Sequence, residues 1–317
     1  MSASFPDWMT DIPPQSINTS LGVALALTVA VFWGLSPFAH AAAGRRISAF
    51  HALLWRSALG SAILLAILAV SRVSVPPLRA SLVMAASGVV GVGIGDFVIF
   101  DALVQLGPRR TVQLLALGPV FTFLLAWIFL GETVSPVQFG GAALVLLASF
   151  TAIWVESRRD PASREPGRVS LRGISGALGG AIAIGAASVI ARQAYRMDPG
   201  MHPIAASCLR VVSASMVLWL MPAVWGGYPV LMRSLTDRRA VVWVAFGTAL
   251  GPVLGMLAFV GAIKHLEAGL VTALMSLSPL LILPVSAWRH RVRIGPAVIL
   301  AAVAAVTGVA LIALGRR

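Results

Sequence analysis

The sequence predicts an all-α integral membrane protein of ten transmembrane helices, arranged as two inverted five-helix repeats. The chain of 317 residues is 58% hydrophobic and only 11% charged. Apolar runs of about 18 or more residues recur along its whole length, more than one soluble core accommodates. The stretch 91–136 returns 160 residues later, where Gly91, Gly95, Ala102, Leu106, Leu114, Leu117, Pro119 and Pro136 meet Gly251, Gly255, Ala262, Leu266, Leu274, Leu277, Pro279 and Pro296. Each copy holds five apolar runs. An odd number makes the second copy enter the bilayer from the side opposite the first, which relates the halves by a pseudo-twofold axis in the membrane plane. Helices are required because hydrocarbon satisfies no stray backbone group, and the alternation of a lipid-facing barrel is absent.

Taken in order, the chain opens with a polar, proline-containing tail, residues 1–18, that carries Asp7 and Asp11 and no Lys or Arg. A cleaved signal peptide needs a basic start and a shorter apolar core, so Ala39-His40-Ala41 is not expected to be a cleavage site. Helices are expected over 19–41, 49–71, 80–105, 111–131 and 134–155 in the first repeat, 19–155. In the second, 173–315, they are expected over 173–193, 203–225, 240–263, 269–288 and 296–315. A basic linker, 156–172, containing SRRDPASREPGR, separates the two. Ahead of the main match, Gly22, Arg56, Ser61 and Leu64 meet Gly176, Arg210, Ser215 and Leu218 at an offset of 154. The change of offset falls in the loop GGYPVLMRSLTDRR, where an insertion costs little.

The formal net charge of +13 resides in short Arg clusters between apolar runs. That is loop chemistry on a membrane protein, with no basic helix or aromatic-interleaved patch to suit a nucleic acid. The single cysteine, Cys208, lies in an apolar run, which excludes an internal disulfide and a zinc cluster. There is no Walker loop, no Ser or Cys nucleophile with a convincing base and no cluster of metal ligands, so neither an enzyme nor a cofactor is expected. With the N-terminus inside, seven Lys and Arg fall on the cytoplasmic side and fifteen on the other. The positive-inside rule then favours both termini outside.

The pattern Ala102-Leu103, Leu106-Gly107, then Pro119, Leu130-Gly131-Glu132 and Gly140-Gly141, with Arg56 near the start of the second helix, resembles the EamA module of the drug/metabolite transporter superfamily. The resemblance covers about 290 residues as two modules. It implies a secondary transporter of small metabolites in a cell membrane, most often an exporter of amino acids or similar solutes. A central cavity lined by the first four helices of each repeat is implied with it. So are cytoplasmic termini, against the charge count. Two features depart from the family pattern: the second copy ends in Trp288-Arg289-His290-Arg291-Val292-Arg293 rather than Gly-Glu, and Arg109 and Arg110 stand where small or polar residues are usual. The implied partners are the lipid bilayer, a small solute and protons as coupling ion. An exporter of cationic drugs is the rival within this class. Outside it, the rival is a non-transporting protein that packs a partner or lipid.

Counted from Gly107, Asp96 lies roughly 16 Å deep, near the middle of a hydrocarbon core about 30 Å thick. A carboxylate there needs a watery cavity or a partner, which makes Asp96 the candidate for proton coupling or cation binding. A structural acid bonded to nearby backbone is the alternative, since the other copy has Met256 at that position. Asp101 at about 8 Å and Arg56 at about 10 Å share a depth, so an Arg56–Asp101 ion pair is expected. Arg210, the repeat equivalent of Arg56, has Gly261 where that acid would be, and is the candidate for holding an anionic group such as a substrate carboxylate. Snorkelling to the interface is the alternative for both arginines.

Trp33, with Phe32 and Phe38 in the same helix, is a candidate cavity-lining aromatic or an interfacial anchor. Pro119 and Pro279 fall mid-helix, where a proline removes a backbone bond, so matching kinks are expected in the fourth and ninth helices. Gly91-xxx-Gly95 and Gly247-xxx-Gly251-xxx-Gly255 set small residues on one face for close packing. Glu132 is expected as an N-terminal acid of the following helix. The histidines are scattered and carry no expected ligand role.

Overall fold

The computed structural model describes residues 18–159, 170–225, 237–281 and 296–315. All regular structure among them is helical. In the first repeat α1 (Thr19–Gly44) and α2 (Ala49–Ser71) each cross once. The third crossing, Leu78–Gly107, combines α3 (Leu78–Gly88), a π-helical segment (Val89–Gly95) and the first part of α4 (Asp96–Leu115). The fourth, Arg110–Leu130, joins the end of α4 to α5 (Gly118–Leu130), and α6 (Pro136–Arg159) is the fifth.

The second repeat copies this plan with α7 (Leu171–Met197), α8 (Pro203–Trp225), then α9 (Arg238–Thr248), a π-helical segment (Ala249–Gly255) and α10 (Met256–His265) as one crossing. The ninth crossing begins with α11 (Ala268–Met275), and α12 (Pro296–Leu314) is the tenth. Among the described residues nine helices are long and apolar enough to span a membrane, and Ala268–Leu281 is a shorter apolar one. Residues 1–17 of the tail, most of the linker, the end of the expected 269–288 helix and the Trp288–Arg293 run lie outside the described residues.

Helix ends follow from local chemistry. The side chains of Asn18, Ser48, Ser170 and Asp237 each accept a backbone N–H from the first turn of α1, α2, α7 and α9, satisfying donors that have no partner inside the helix. Ser135 and Gln138 form a reciprocal capping box ahead of α6, with both bonds at 3.2 Å. Gly107 (φ 77°, ψ 164°) makes the turn between the third and fourth crossings in a conformation that favours glycine.

The inversion of the two halves is visible in reciprocal contacts. Ser61 Oγ donates to the Val211 carbonyl at 3.4 Å, and its repeat equivalent, Ser215, donates to Ser57 Oγ at 3.2 Å. Residues 57 and 61 on α2 thus meet 215 and 211 on α8 in opposite order. Equivalent helices running antiparallel across their own contact require a twofold axis perpendicular to them, in the membrane plane. The last helices of the repeats behave likewise. Ser135 Oγ donates to Gly315 O at 2.7 Å while Gln138 Nε2 reaches Ile312 O at 3.4 Å. Further along, Gly141 and Gly308 pack so closely that a Cβ on either would lie 2.6 Å from the other's carbonyl oxygen.

The pair α6 and α12 stands beside the other eight crossings, which interleave between repeats: α2 against α8, α1 against α9 and α10, α7 against α3, α4 and α5, and α11 against α5. Large side chains such as Trp127, Phe129, Leu300 and Val306 are exposed on the outside, as a lipid-facing surface requires.

Candidate functional site

The glycine-rich run ahead of Asp96 sets the geometry of the third crossing. Seven residues before the aspartate the helix widens into the π-helical segment Val89–Gly95, and Asp96 is the first residue after it. Without side chains, Gly91 and Gly95 let α7 close in: a Cβ on Gly91 would lie 2.6 Å from Ala187 Cβ, and one on Gly95 would lie 3.4 Å from Ala183 Cβ. The carboxylate of Asp96 is ion-paired with the Arg56 guanidinium, the two side chains being 27% and 22% exposed.

Asp101, expected as the partner of Arg56, is instead held by Arg172 at the start of α7, in a two-pronged pair with Nε–Oδ2 3.0 Å and Nη2–Oδ1 3.1 Å. Equal depth misled because azimuth also counts: five residues along a helix turn by about 140°, so Asp96 and Asp101 face different neighbours. The long Arg56 side chain covers the remaining difference in depth and does not snorkel.

Arg210 is buried on α8, 2% exposed. Its Nη1 donates to Ser87 Oγ and to the Ala187 carbonyl at 3.4 Å, and Ser87 Oγ donates to the same carbonyl at 2.7 Å. Its Nε has no hydrogen-bond partner among the described residues. The guanidinium sits 5.0 Å from the centre of the Phe259 ring on α10, and that ring stacks on Trp33 at 5.4 Å. Trp33 Nε1 in turn donates to the Gly251 carbonyl at 3.2 Å, inside the second π-helical segment. Trp33 and Arg210, from different repeats, are therefore joined through one phenylalanine.

The two repeat-equivalent arginines converge on the third crossing. Arg56 ends on Asp96 just after its π-helical segment, and Arg210 on Ser87 just before it. The asymmetry has a plain cause, since Met256 offers Arg210 no acid. Close by, Ser36 Oγ donates to the Gly247 carbonyl at 3.0 Å and contacts His40 Nδ1 at 3.2 Å.

The prolines do not kink continuous helices. Ala116 and Leu117 form a turn, and Pro119 lies in the first turn of α5, where its missing N–H would have no partner in any case. Ser276 and Leu277 make the same turn ahead of Pro279 in the second repeat. The fourth and ninth crossings are broken there rather than bent.

Glu132 is likewise not an N-terminal acid of α6. Buried to 5% exposure, its Oε1 accepts from Arg192 Nε at 2.8 Å and Arg196 Nη2 at 3.3 Å, and its Oε2 from the Ala268 N–H at 3.1 Å. Arg192 also donates to the carbonyls of Ile263 (2.6 Å) and Lys264 (3.0 Å), and Arg196 to that of Leu130 (2.6 Å). This network ties α5, α7, α10 and α11 together on the face where α1 begins. The opposite face has exposed pairs instead, Arg172–Asp101 and Arg46–Asp237, the latter at 3.0 Å.

The model of the EamA-like transporter family matches the chain twice, over residues 20–154 and 171–314. The chain belongs to the EamA-like transporter family. It is accordingly a multi-pass membrane transporter of the drug/metabolite transporter superfamily. A search of curated protein sequences returns no match. Among solved structures, a crystal structure at 18% identity superposes with a TM-score of 0.72 over 92% of this chain and 96% of that one, which shows a shared fold.

The EamA frame locates what sequence reasoning missed. Ser87, Phe259 and the two π-helical segments carry no motif. The glycine runs GVVGVGIG and GTALGPVLG are the one sequence signal for the segments, because glycines tolerate the close neighbours a widened turn admits. The Glu132 network was announced only by Arg192 and Arg196, four apart at the end of α7 and hence on one face.

Proposed function

We propose that this EamA-like protein is a secondary-active transporter in the inner membrane of a bacterium, carrying a small carboxylate-bearing metabolite such as an amino acid by alternating access. The observation that carries this reading is the Arg56–Asp96 pair, partly exposed near mid-span, with buried Arg210 of α8 meeting the same third crossing at Ser87. Two arginines and one aspartate leave an excess positive charge in a low-dielectric region, which favours an anionic group on the solute. Protonation of Asp96 would neutralise the carboxylate and release the Arg56 guanidinium to donate to a solute carboxylate. Proton binding and solute binding then favour each other at one residue pair. A cationic drug fits less well, because the Phe259 ring already stacks on Trp33 and already has the Arg210 guanidinium as its cation.

The experiment is flux in sealed vesicles with an imposed pH gradient, preceded by a thermal-shift screen over amino acids, nucleosides, sugars and quaternary amines. Stabilisation by carboxylate-bearing solutes, together with loss of gradient-driven flux in Asp96→Asn, is the expected result. Unchanged gradient-driven flux in Asp96→Asn removes the coupling role. Stabilisation by quaternary amines alone replaces the metabolite with a cationic drug. A reporter fused after Arg317 decides whether the termini lie outside, as the charge count favours, or in the cytoplasm.

A further inference from the structure

An apolar groove of about 310 Å³ runs between α2, the loop that follows it, α3 and α8. It is made by both repeats, and its walls include Leu65 on α2, Val75 and Pro76 in the loop, and Ala205 and Met216 on α8. Leu65, Val75 and Met216 are exposed, so the groove opens outward where lipid would lie. From Ala205 to Met216 the groove follows α8 for roughly 16 Å, the depth of one leaflet of a hydrocarbon core about 30 Å thick.

Its interfacial end is basic. Arg72, which ends α2 with φ 52°, and Arg79 in the first turn of α3 flank the loop that carries Val75 and Pro76. Both are exposed, and neither forms an ion pair among the described residues. We propose that this groove is a binding site for an anionic phospholipid, with one acyl chain along α8 and the headgroup phosphate met by Arg72 and Arg79. Apolar lining of leaflet length selects an acyl chain, and two exposed arginines at the headgroup level, without an ion pair among the described residues, select negative charge. The site is also connected to the interior. Ser213, on the groove wall, donates to the Ala85 carbonyl at 2.8 Å and so helps join α3 to α8 one turn from where Arg210 meets Ser87.

The proposal does not rest on the transported solute, and its test reads lipid alone. The full chain is purified in detergent and titrated with dioleoyl phosphatidylglycerol or dioleoyl phosphatidylcholine, and bound lipid is counted by native mass spectrometry. Phosphatidylglycerol should bind on the order of thirty-fold more tightly, from two arginines at the membrane surface. Arg72→Gln with Arg79→Gln should bring the two lipids level. Leu65→Trp with Met216→Trp, both at exposed positions where folding is not threatened, should fill the groove and abolish retention of either lipid. Glycerophosphate, a headgroup without chains, should not compete.

Equal retention of both lipids by the natural chain overturns the proposal, as does a preference that survives loss of both arginines or tight binding that survives the two tryptophans. Competition by glycerophosphate reduces the site to one for free anions and overturns it too. Retention that appears only after Asp7→Asn and Asp11→Asn would mean that the chain's own acidic tail covers the arginines, and the proposal fails.

Discussion

Replacing Glu132 by alanine tests the buried network directly. The change removes an acceptor of three bonds, from Arg192 at 2.8 Å, Arg196 at 3.3 Å and the Ala268 N–H at 3.1 Å. It leaves Arg192 charged at 5% exposure. Breaking a buried ion pair from one side costs about 3–5 kcal/mol. The lower end applies here, because Arg192 keeps the Ile263 and Lys264 carbonyls and Arg196, at 22% exposure, can turn to water. Glu132→Gln retains one acceptor oxygen and should lose about half as much, whereas Arg196→Gln should cost about 1 kcal/mol. At roughly 2 °C per kcal/mol for a chain of this size, Glu132→Ala should lower the melting temperature in detergent by about 6 °C. The reasoning fails if that variant melts within about 1 °C of the natural chain, or if Arg196→Gln proves the more damaging change.

Three further outcomes follow from particular contacts. Gly91→Ala places a Cβ 2.6 Å from Ala187 Cβ and 3.5 Å from Arg210 Nη2; it should destabilise by about 1–3 kcal/mol in the same melt, and an unchanged melt would mean that α7 yields freely. Pro119→Ala should change stability by less than about 1 kcal/mol, as befits a first-turn proline, whereas a gain near 3 kcal/mol would restore the mid-helix kink. Asp237 caps α9, and the Ala240 N–H together with the Arg46 guanidinium holds its carboxyl below the ordinary aspartate value of 3.8. A lowered pKa in the folded chain means that this stabilisation is present above that value and is lost as pH falls through the folded one. The melting difference between the natural chain and Asp237→Asn should therefore shrink on going from about pH 7 to pH 3, and a difference that grows would reverse the sign.

The helices and their inversion were legible because hydrocarbon leaves few choices: ten apolar runs split by an odd count per copy admit little besides antiparallel repeats, and Ser57, Ser61, Val211 and Ser215 meet accordingly. The site was legible residue by residue but not pair by pair. Depth along a helix can be counted from its end, and that set Asp101 level with Arg56 and left Asp96 roughly 6 Å deeper. Depth alone does not say which side of the helix faces α2, and the roughly 140° between Asp96 and Asp101 turns the first and not the second toward Arg56. Phe259 escaped notice because an aromatic in an apolar run has no distinguishing neighbour in sequence, although in space it bridges Trp33 and Arg210. Pro119 was placed correctly and read wrongly, since a broken crossing and a bent one have the same hydropathy.

A widened turn of the kind found at Val89–Gly95 and Ala249–Gly255 inserts one residue into an otherwise regular ladder. Everything beyond the insertion is rotated by about 100° relative to an uninterrupted helical wheel. Each of these crossings thus obeys two wheels, one for α3 or α9 and another for α4 or α10. A cysteine-accessibility scan along either should display a jump in phase at the glycine run, with Asp96 and Met256 falling at the head of the second wheel.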